Sequence, residues 1–334
     1  MNTIILAIES SCDETSASII SNAKVLSNII ADQDVHKRFG GVVPELASRA
    51  HLQNIIPVVH QAISVAKIDK TQIQAIAFTR GPGLMGPLLV GLSFAKSMAL
   101  SLNIPLIEVN HMQAHVLAHF IEDPKPSFPF ICLTVSGGHT QLVLVEDHLN
   151  MKIAGQTLDD AVGEAFDKAA KLLGLGYPGG PEIDKHAALG DSSVYSFPIS
   201  DMPDYNFSFS GIKTSLLYFL QKNLMKDPDF IKSNLNDICA SYQKTLIDSL
   251  MQKLEKLAED KGIGEIAIAG GVSANKGLRM AIQSTGNKKS WNTYIPDFQY
   301  CTDNAAMIAM AAHYKFLKGE FSDQAITPLA RLSI

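Results

Sequence analysis

The sequence predicts an α/β fold of two related lobes around a cleft. A unit of strand, polar turn and strand occurs twice, once near residues 3–20 and again near 130–145. Each copy is followed by a later strand that ends in a glycine-rich loop, and such internal duplication is typical of paired lobes. The chain has 334 residues, of which 46% are hydrophobic, so it can bury a large core, and its length favours two domains over one. A single doubly wound sheet is the alternative.

The first half of the chain alternates short apolar runs, as in strands, with longer periodic stretches, as in helices. In order, the predicted elements are strands at 3–8, 17–20 and 24–30, a helix at 44–66, a strand at 75–78, a helix at 85–102 and a strand at 106–109. Pro57 predicts a kink in the first helix, because proline removes a helical hydrogen bond. The last strand runs directly into His111.

The second half begins again with the same order of elements. The predicted elements are strands at 130–135 and 141–145, helices at 161–173, 211–224 and 231–259, a strand at 265–269, and helices at 275–284 and 303–318. The third of these helices is expected to break near Ile238. The first lobe is therefore predicted at 1–125, completed by the C-terminal helix and tail at 303–334, and the second at 126–302 with helical insertions.

Hydropathy and cysteine usage indicate a cytoplasmic protein. No basic residues precede the short apolar stretch 4–8, as a signal peptide would require, and the longest apolar tracts fall short of the roughly 20 residues that cross a bilayer. No membrane span is expected. The chain has four scattered cysteines, Cys12, Cys132, Cys239 and Cys301. Such scattering is typical of reduced thiols.

The net charge of -5 argues against a broad, sequence-independent grip on nucleic acid, because phosphate binding needs clustered lysine and arginine. A nucleic-acid substrate would therefore need a local patch or a partner protein. The chain offers few basic clusters, among them His36-Lys37-Arg38 and Lys288-Lys289. Such clusters are more often solvated surface.

Two glycine loops predict an anion site. Ser136-Gly137-Gly138-His139-Thr140 ends a strand, and Gly270-Gly271-Val272-Ser273-Ala274-Asn275 lies between a strand and a helix, so backbone N–H groups can approach a phosphate closely. Ordinary strand-end turns are the alternative for each loop alone. Neither loop has the Walker A or dinucleotide-binding pattern, which disfavours those two classes.

Carboxylates near the glycine loops are candidates for contacts to a ribose. Asp160, Glu164 and Asp167 are predicted on one face of a helix, and Asp184 follows a second glycine-rich turn at 177–181. Asp167 and Asp184 are plausible partners for ribose hydroxyls. Solvated helix charges are the alternative.

A histidine pair predicts a metal site. His111 and His115 lie four positions apart directly after a strand, so they share one face if the segment is helical. His119 continues the stripe as a third ligand or a bystander. A zinc protease needs glutamate after the first histidine, where this chain has Met112. Asp303, at the start of the last predicted helix, is a candidate carboxylate ligand, with a helix N-cap as its alternative role.

Several ordered motifs closely resemble those of a known family. They are Glu9-Ser10-Ser11-Cys12-Asp13-Glu14-Thr15, Gly40-Gly41-Val42-Val43-Pro44-Glu45, His111-Met112-Gln113-Ala114-His115, Val135-Ser136-Gly137-Gly138-His139-Thr140, Phe166-Asp167-Lys168, Gly179-Gly180-Pro181, Ser208-Phe209-Ser210-Gly211-Ile212-Lys213-Thr214 and Gly270-Gly271-Val272-Ser273-Ala274-Asn275. Almost end to end, the chain resembles the TsaD family of bacterial tRNA N6-adenosine threonylcarbamoyltransferases. The duplicated arrangement likewise resembles the actin-like ATPase superfamily, with its RNase H-like fold.

The resemblance implies transfer of a threonylcarbamoyl group from threonylcarbamoyl-AMP to the N6 amine of adenosine at position 37, in tRNAs that read codons beginning with A, with release of AMP. It implies one divalent metal per subunit, iron(II) rather than zinc, held by His111, His115 and Asp303. It also implies a set of adenylate-binding residues: Thr134, Val135, Ser136, Gly137, Gly138, Asp167, Gly180, Asp184 and Asn275. The implied partners are tRNA, a paralogous pseudo-enzyme subunit (TsaB-like), a small ATPase (TsaE-like) and a separate synthase that makes the adenylate.

Two other functions stay open at the level of the residues. An actin-like ATPase or kinase would turn over ATP steadily and would not require His111. A metalloprotease would need a base beside the metal, and Met112 argues against it. No residue must be the general base for the adenine amine; Glu9, Asp13 and His139 are hypotheses for that role.

Overall fold

The computed structural model describes residues 3–31 and 41–334. The cluster His36-Lys37-Arg38 and Gly40 lie outside the described residues. Backbone contacts divide the chain into two compact units. The first comprises Met1–Lys125, Glu146–Met151 and Pro296–Ile334, and the second comprises Pro126–Val145 and Lys152–Ile295. The lobe boundaries inferred from the sequence stay a prediction.

The described residues form ten strands and nine helices, apart from short 3-10 turns. In chain order they are β1 (Ile4–Glu9), β2 (Thr15–Ser21), β3 (Lys24–Ala31), α1 (Pro44–Ala66), β4 (Ala75–Gly81), α2 (Met85–Leu102), β5 (Leu106–Asn110), α3 (His111–Leu117), β6 (Phe130–Val135), β7 (Thr140–Asp147), β8 (Asn150–Gln156), α4 (Val162–Leu172), α5 (Gly179–Ala187), α6 (Ser210–Leu224), α7 (Phe230–Lys261), β9 (Glu265–Ala269), α8 (Lys276–Lys289), β10 (Asn292–Tyr294) and α9 (Ala305–Lys318).

The two sheets share one strand order. In the first sheet β3, β2, β1, β4 and β5 lie side by side, and in the second β8, β7, β6, β9 and β10 do. β1 pairs antiparallel with β2 and parallel with β4, and β6 pairs antiparallel with β7 and parallel with β9. The duplication inferred from the sequence is therefore confirmed in the sheet topology, and the alternative of a single doubly wound sheet is wrong.

The first sheet is covered on one face by α1 and α2 and on the other by α9. Ile19 of β2 belongs to the same buried cluster as Val59 of α1 and Leu92 of α2. Ser16 faces the opposite side, because successive strand residues alternate, and its hydroxyl accepts a hydrogen bond from the Ala305 backbone N–H at 2.9 Å. β1 lies between these layers and is buried along almost its whole length, which explains its continuous apolar sequence.

α2 is the one helix among the described residues that is long and apolar enough, by length and composition, to cross a membrane. Leu88, Leu92, Ala95 and Ala99 form its buried side, and three of them belong to the core of the first unit. Core helices pass the same test of length and composition. This packing accounts for the apolar residues on the buried side of α2.

The second unit is built around α7. This helix runs without interruption for 32 residues, so the predicted break near Ile238 is wrong. Ile238 and Cys239 are fully buried, and Tyr242 lies in the same core. The helix contains neither proline nor glycine, and burial of one face stabilises it through the polar stretch that suggested a break.

The turn predicted at 177–181 is instead the start of a helix. α5 begins at Gly179, directly after Pro178. A Cβ atom at Gly179 would lie 2.5 Å from the Cβ of Ala170, so only glycine permits the close approach of α5 to α4. Neither β8 nor the three-residue β10 is predicted from the sequence.

Candidate metal centre and phosphate loops

The histidine pair owes its geometry to Asn110, the last residue of β5. Its side-chain oxygen accepts hydrogen bonds from the backbone N–H groups of Met112 at 2.9 Å and Gln113 at 3.1 Å, so it caps α3 and the helix begins at His111. His111 and His115 then lie one helical turn apart, with ring centroids separated by 4.7 Å and ring planes at 85°. The predicted common face is confirmed.

Asp303 completes the cluster but does not cap the last helix. α9 begins at Ala305, and its N-cap is Asn304, whose side chain accepts from the Met307 N–H at 3.1 Å. The helix start inferred at residue 303 is therefore two residues too early. The Asp303 carboxylate is left for the histidines: its Oδ1 lies 3.1 Å from the Nε2 of His115 and 3.4 Å from the Nε2 of His111.

A second carboxylate lies behind His111. Glu9, at the end of β1, is fully buried, and its Oε2 lies 3.0 Å from the Nδ1 of His111. The same oxygen accepts a hydrogen bond from the Thr79 hydroxyl at 2.6 Å, and Oε1 accepts one from the Ser11 backbone N–H. Glu9 therefore fixes the plane of the imidazole and leaves its Nε2 directed at Asp303, the arrangement expected of a carboxylate that orients a metal-binding histidine.

The three charged groups shift one another strongly. Burial alone raises the pKa of Glu9 and of Asp303, but the His111 imidazole outweighs it, and both carboxyls end with a lowered pKa. Burial lowers the pKa of His111, yet Asp303 and Glu9 together raise it well above its usual value. The buried Glu9 and the half-buried Asp303 thus favour positive charge between them, and a metal cation satisfies that preference in place of a proton.

The donor set fits a divalent transition metal. His111, His115 and Asp303 each offer a ligand atom, and these atoms all lie within 4.8 Å of one another. Two imidazole nitrogens and one carboxylate oxygen are a common set for iron(II) and also suit zinc. His119 lies in the 3-10 turn after α3 and is not a member of the cluster. The residue after His111 is the buried Met112, whose thioether offers no base for hydrolysis.

In the second unit, the first glycine loop closes on itself. The Ser136 backbone N–H donates to the His139 carbonyl at 2.8 Å, and the His139 N–H donates to the Ser136 hydroxyl at 3.1 Å. Gly137 and Gly138 are exposed, with no atom within 4 Å of where a Cβ would stand. The loop therefore presents two glycines to open space, as a backbone cradle for an anion requires.

The second glycine loop packs on the end of β6. Gly270 has a φ of +87°, and a Cβ there would lie 2.4 Å from the carbonyl oxygen of Val135. The side chains of Val135 and Thr134 are fully buried, and the Thr134 hydroxyl donates to the Cys132 sulfur at 3.8 Å. Contact with a ligand from these two residues would therefore come from their backbone.

The three carboxylates predicted on one helix face have different surroundings. Asp160 precedes α4 rather than lying on it, and its carboxylate pairs with Lys168 and Lys213, each at 3.0 Å. Glu164 pairs with the same Lys168 at 2.6 Å. Asp167 instead accepts the Gly179 backbone N–H at 2.7 Å. Asp160 and Glu164 thus belong to an ion-pair cluster, and Asp167 stays beside the start of α5.

Burial raises the pKa of Asp167, and this effect exceeds the opposing influence of the N–H groups of Gly179 and Gly180. Gly180 follows in the first turn of α5, half-buried, with only the Phe166 Cβ near the position of a Cβ of its own. The backbone at the start of α5 therefore holds the Asp167 carboxylate in place.

Asp184 and Asn275 are joined by a residue that the sequence did not single out. The amide nitrogen of Gln243 donates to Asp184 Oδ1 at 3.1 Å, and its amide oxygen accepts from Asn275 Nδ2 at 2.7 Å. Asn275 also caps α8 by accepting the Leu278 N–H at 2.9 Å. A polar residue on the long helix α7 carries no sequence signal of burial, so this link was not predictable.

Comparison with known proteins agrees with the resemblance. Residues 24–310 match the family model "TsaD: tRNA N6-adenosine threonylcarbamoyltransferase". Two similar proteins are the tRNA N6-adenosine threonylcarbamoyltransferases of Riemerella anatipestifer, 60% identical over 99% of this chain and 98% of the relative, and of Cytophaga hutchinsonii, 59% identical over 100% of this chain and 97% of the relative.

Solved structures of low identity support the fold alone. HypF from T. kodakarensis superposes with a TM-score of 0.63 at 12% identity, over 95% of this chain and 48% of that one. Component A of the Acidaminococcus fermentans (R)-2-hydroxyglutaryl-CoA dehydratase gives a TM-score of 0.53 at 14% identity, over 95% of this chain and 98% of that one. The predicted fold class is confirmed.

Proposed function

Since this chain belongs to the TsaD family of tRNA N6-adenosine threonylcarbamoyltransferases and is an enzyme of the transferase class, we propose that its donor is threonylcarbamoyl-AMP and its acceptor the N6 amine of adenosine 37. The acceptors are tRNAs that read codons beginning with A. The N6 nitrogen attacks the carbamoyl carbon, the bond from that carbon to the phosphate oxygen breaks, N6 loses one proton and AMP leaves. The observation that carries the proposal is the His111–His115–Asp303 cluster in a chain 60% identical to such a transferase.

One divalent metal per subunit, iron(II) rather than zinc, would be held by His111, His115 and Asp303. When bound, it supplies a Lewis acid that orients the threonylcarbamoyl oxygens and polarises the carbonyl. Glu9 keeps the proton on the Nδ1 of His111, so that Nε2 carries the lone pair needed for ligation. The buried nitrogen Nδ1 of His115 makes no hydrogen bond within the described part of the chain.

The AMP moiety is assigned to residues of the second unit. The backbone N–H groups of Gly137 and Gly138 would hold the phosphate, which is the leaving group, and Thr134, Val135 and Ser136 would add further adenylate contacts. Asp167 and Asp184 would accept from the ribose hydroxyls. Gly180 and Asn275 would complete the adenylate contacts. The open space above Gly137 and Gly138 supports this assignment.

Glu9 is a poor choice of general base. Its carboxylate accepts from Ser11, Thr79 and His111, and its pKa is lowered by the imidazole after burial has raised it. We therefore give it a positioning role. Asp13 and His139 remain the hypotheses for the group that receives the N6 proton.

Partners are part of the proposal. The net charge of -5 and the pairing of Lys289 with Glu255 and Glu259 leave little basic surface in the cluster at 288–289, so tRNA binding would depend on partner proteins. We expect a TsaB-like paralogous subunit, a TsaE-like ATPase and a separate adenylate synthase in the cytoplasm. Exposed apolar side chains on α1 and α2, such as Leu52, Ile56, Met85 and Leu89, offer a surface for such a subunit.

The test is reconstitution. Protein purified with its partner proteins and supplied with threonine, bicarbonate, ATP and unmodified tRNA should form N6-threonylcarbamoyladenosine, detected by nucleoside mass spectrometry. His111→Ala should abolish the product, while His148→Ala, which removes an imidazole outside the cluster, should leave it. Full activity of His111→Ala would exclude the metal role, and steady ATP turnover without tRNA modification would favour an ATPase instead.

A further inference from the structure

Gln243 is a buried amide whose two polar atoms are both in use. It lies in the middle of α7 with 8% of its surface exposed. Its Nε2 donates to the Asp184 carboxylate of α5 at 3.1 Å, and its Oε1 accepts from the Asn275 side chain at 2.7 Å. One side chain therefore connects three helices through two residues that are candidates for adenylate contact.

The partners of Gln243 are themselves fixed, so its amide has one orientation. The Asn275 oxygen accepts the Leu278 N–H, which leaves only the Asn275 amide nitrogen to face Gln243. The Gln243 oxygen must then face Asn275, and its nitrogen must face Asp184. The second Asp184 oxygen accepts from the Lys276 backbone N–H at 3.3 Å. The chain of bonds thus sets both the direction of the Asn275 amide and the plane of the Asp184 carboxylate.

α8 approaches the Gln243 side chain closely on one side, and open space borders it on another. A Cβ at Gly277 would lie 2.8 Å from the Gln243 Nε2, so glycine at that position allows α8 to approach the amide. Gln243 also borders a cavity of about 310 Å³ together with Ala187, Lys244 and Gly277. Gln243 borders open space and is hydrogen-bonded through both polar atoms, so apolar packing does not explain its position.

We propose that Gln243 is a positioning residue for the adenylate donor, which it serves by holding Asp184 and Asn275 in the orientations that contact the donor. The inference rests on the proposed function for the identity of the donor. Free rotation of a carboxylate or amide costs affinity when a ligand must order it, so a preformed network strengthens binding without touching the ligand. Because the AMP moiety leaves as a unit, we expect Kd and KM to change more than kcat.

The test compares Gln243→Met, which keeps the shape and removes both hydrogen bonds, with Gln243→Glu, which places a carboxylate against Asp184. The control is Gln252→Met, the same change at an exposed position of the same helix. The probes are AMP, by calorimetric titration, and threonylcarbamoyl-AMP, whose concentration is varied in steady-state kinetics at fixed tRNA with the partner proteins present. Loss of a charge-assisted hydrogen bond predicts a rise of about tenfold in the Kd of AMP and in KM for Gln243→Met, with kcat within about twofold.

Gln243→Glu should raise both constants at least as much, because like charges oppose each other there. The double variant Gln243→Met/Asn275→Ala should have a Kd for AMP no higher than that of the more strongly affected single variant, since both changes break one network. Unchanged Kd and KM in a folded Gln243→Met or Gln243→Glu protein, or a fall in kcat alone, would overturn the inference. If wild-type protein forms no modified tRNA but Gln243→Met still weakens AMP binding, the proposed function fails and the positioning role stands.

Discussion

Replacing Glu9 by glutamine tests the metal centre through a residue that would not touch the metal. The carboxylate has two acceptor atoms. Oε1 accepts from the Ser11 N–H, and Oε2 accepts from the Thr79 hydroxyl and contacts the Nδ1 of His111. A glutamine has one oxygen and one NH₂ group in the same space. Because His111 donates through Nδ1 when Nε2 binds a metal, the amide oxygen must stay on His111, and the NH₂ group then faces the Ser11 N–H.

The size of the effect follows from that geometry. The imidazole loses a charged acceptor and keeps a neutral one, and the amide makes one donor-to-donor contact at Ser11. Loss of a carboxylate that orients a metal-binding histidine typically costs about 10–100-fold in metal affinity, which corresponds to about 1.4–2.7 kcal/mol. We expect Glu9→Gln to fall in this range, with less metal retained after purification.

The assay is competition for zinc(II) or iron(II) against a chromophoric chelator, with thermal unfolding of each variant followed by circular dichroism. Glu108→Gln is the matched control: Glu108 lies on β5 of the same sheet, but its carboxylate pairs with Arg80 at 2.5 Å rather than with an imidazole. Metal affinity should be unchanged in that control. A folded Glu9→Gln protein that binds metal within twofold of wild type would refute the positioning role of Glu9.

Three further outcomes are expected. Gly270→Ala should destabilise the protein by about 1–3 kcal/mol in urea unfolding, because of its positive φ and its 2.4 Å approach to a backbone carbonyl, whereas Gly271→Ala, which meets no atom within 4 Å, should cost well under 1 kcal/mol. Asp160→Asn should destabilise by about 1 kcal/mol near pH 7, and less as the pH falls below about 4, since the lysines lower the pKa of this carboxyl against its burial and its stabilisation is lost on protonation. Cys132 and Cys239, whose pKa burial raises to about 12, should resist iodoacetamide at pH 8, as measured by mass spectrometry.

Sequence patterns located most elements because their signals are local. The predicted helices at 44–66 and 85–102 match α1 and α2, and the strand at 130–135 matches β6. Apolar periodicity marks these segments from within. The error at Ile238 has the opposite cause: a local polar stretch favoured a break, and packing in the core of the second unit overrode it.

The sequence predicted the residues of the candidate metal site but not the residues that support them. His111 and His115 are four positions apart in the sequence, so one helix explains their meeting. Asp303 meets them from the far end of the chain, where spacing gives no information. Glu9 and Gln243 support the candidate residues through side-chain geometry, which depends on strand pairing and helix packing that no local pattern encodes.

At the start of α9, two neighbouring residues divide helix capping and the contact with the histidines between them. Asn304 satisfies the first turn of the helix, and its neighbour Asp303 is therefore available to the histidines. Because the cap uses none of the candidate ligands, we expect α9 to form whether or not a metal is bound, unlike in small domains that unfold when their metal is stripped. Removal of the metal by a chelator should abolish transferase activity and leave thermal unfolding cooperative. The folded apoprotein should then bind a different cation without being unfolded and refolded.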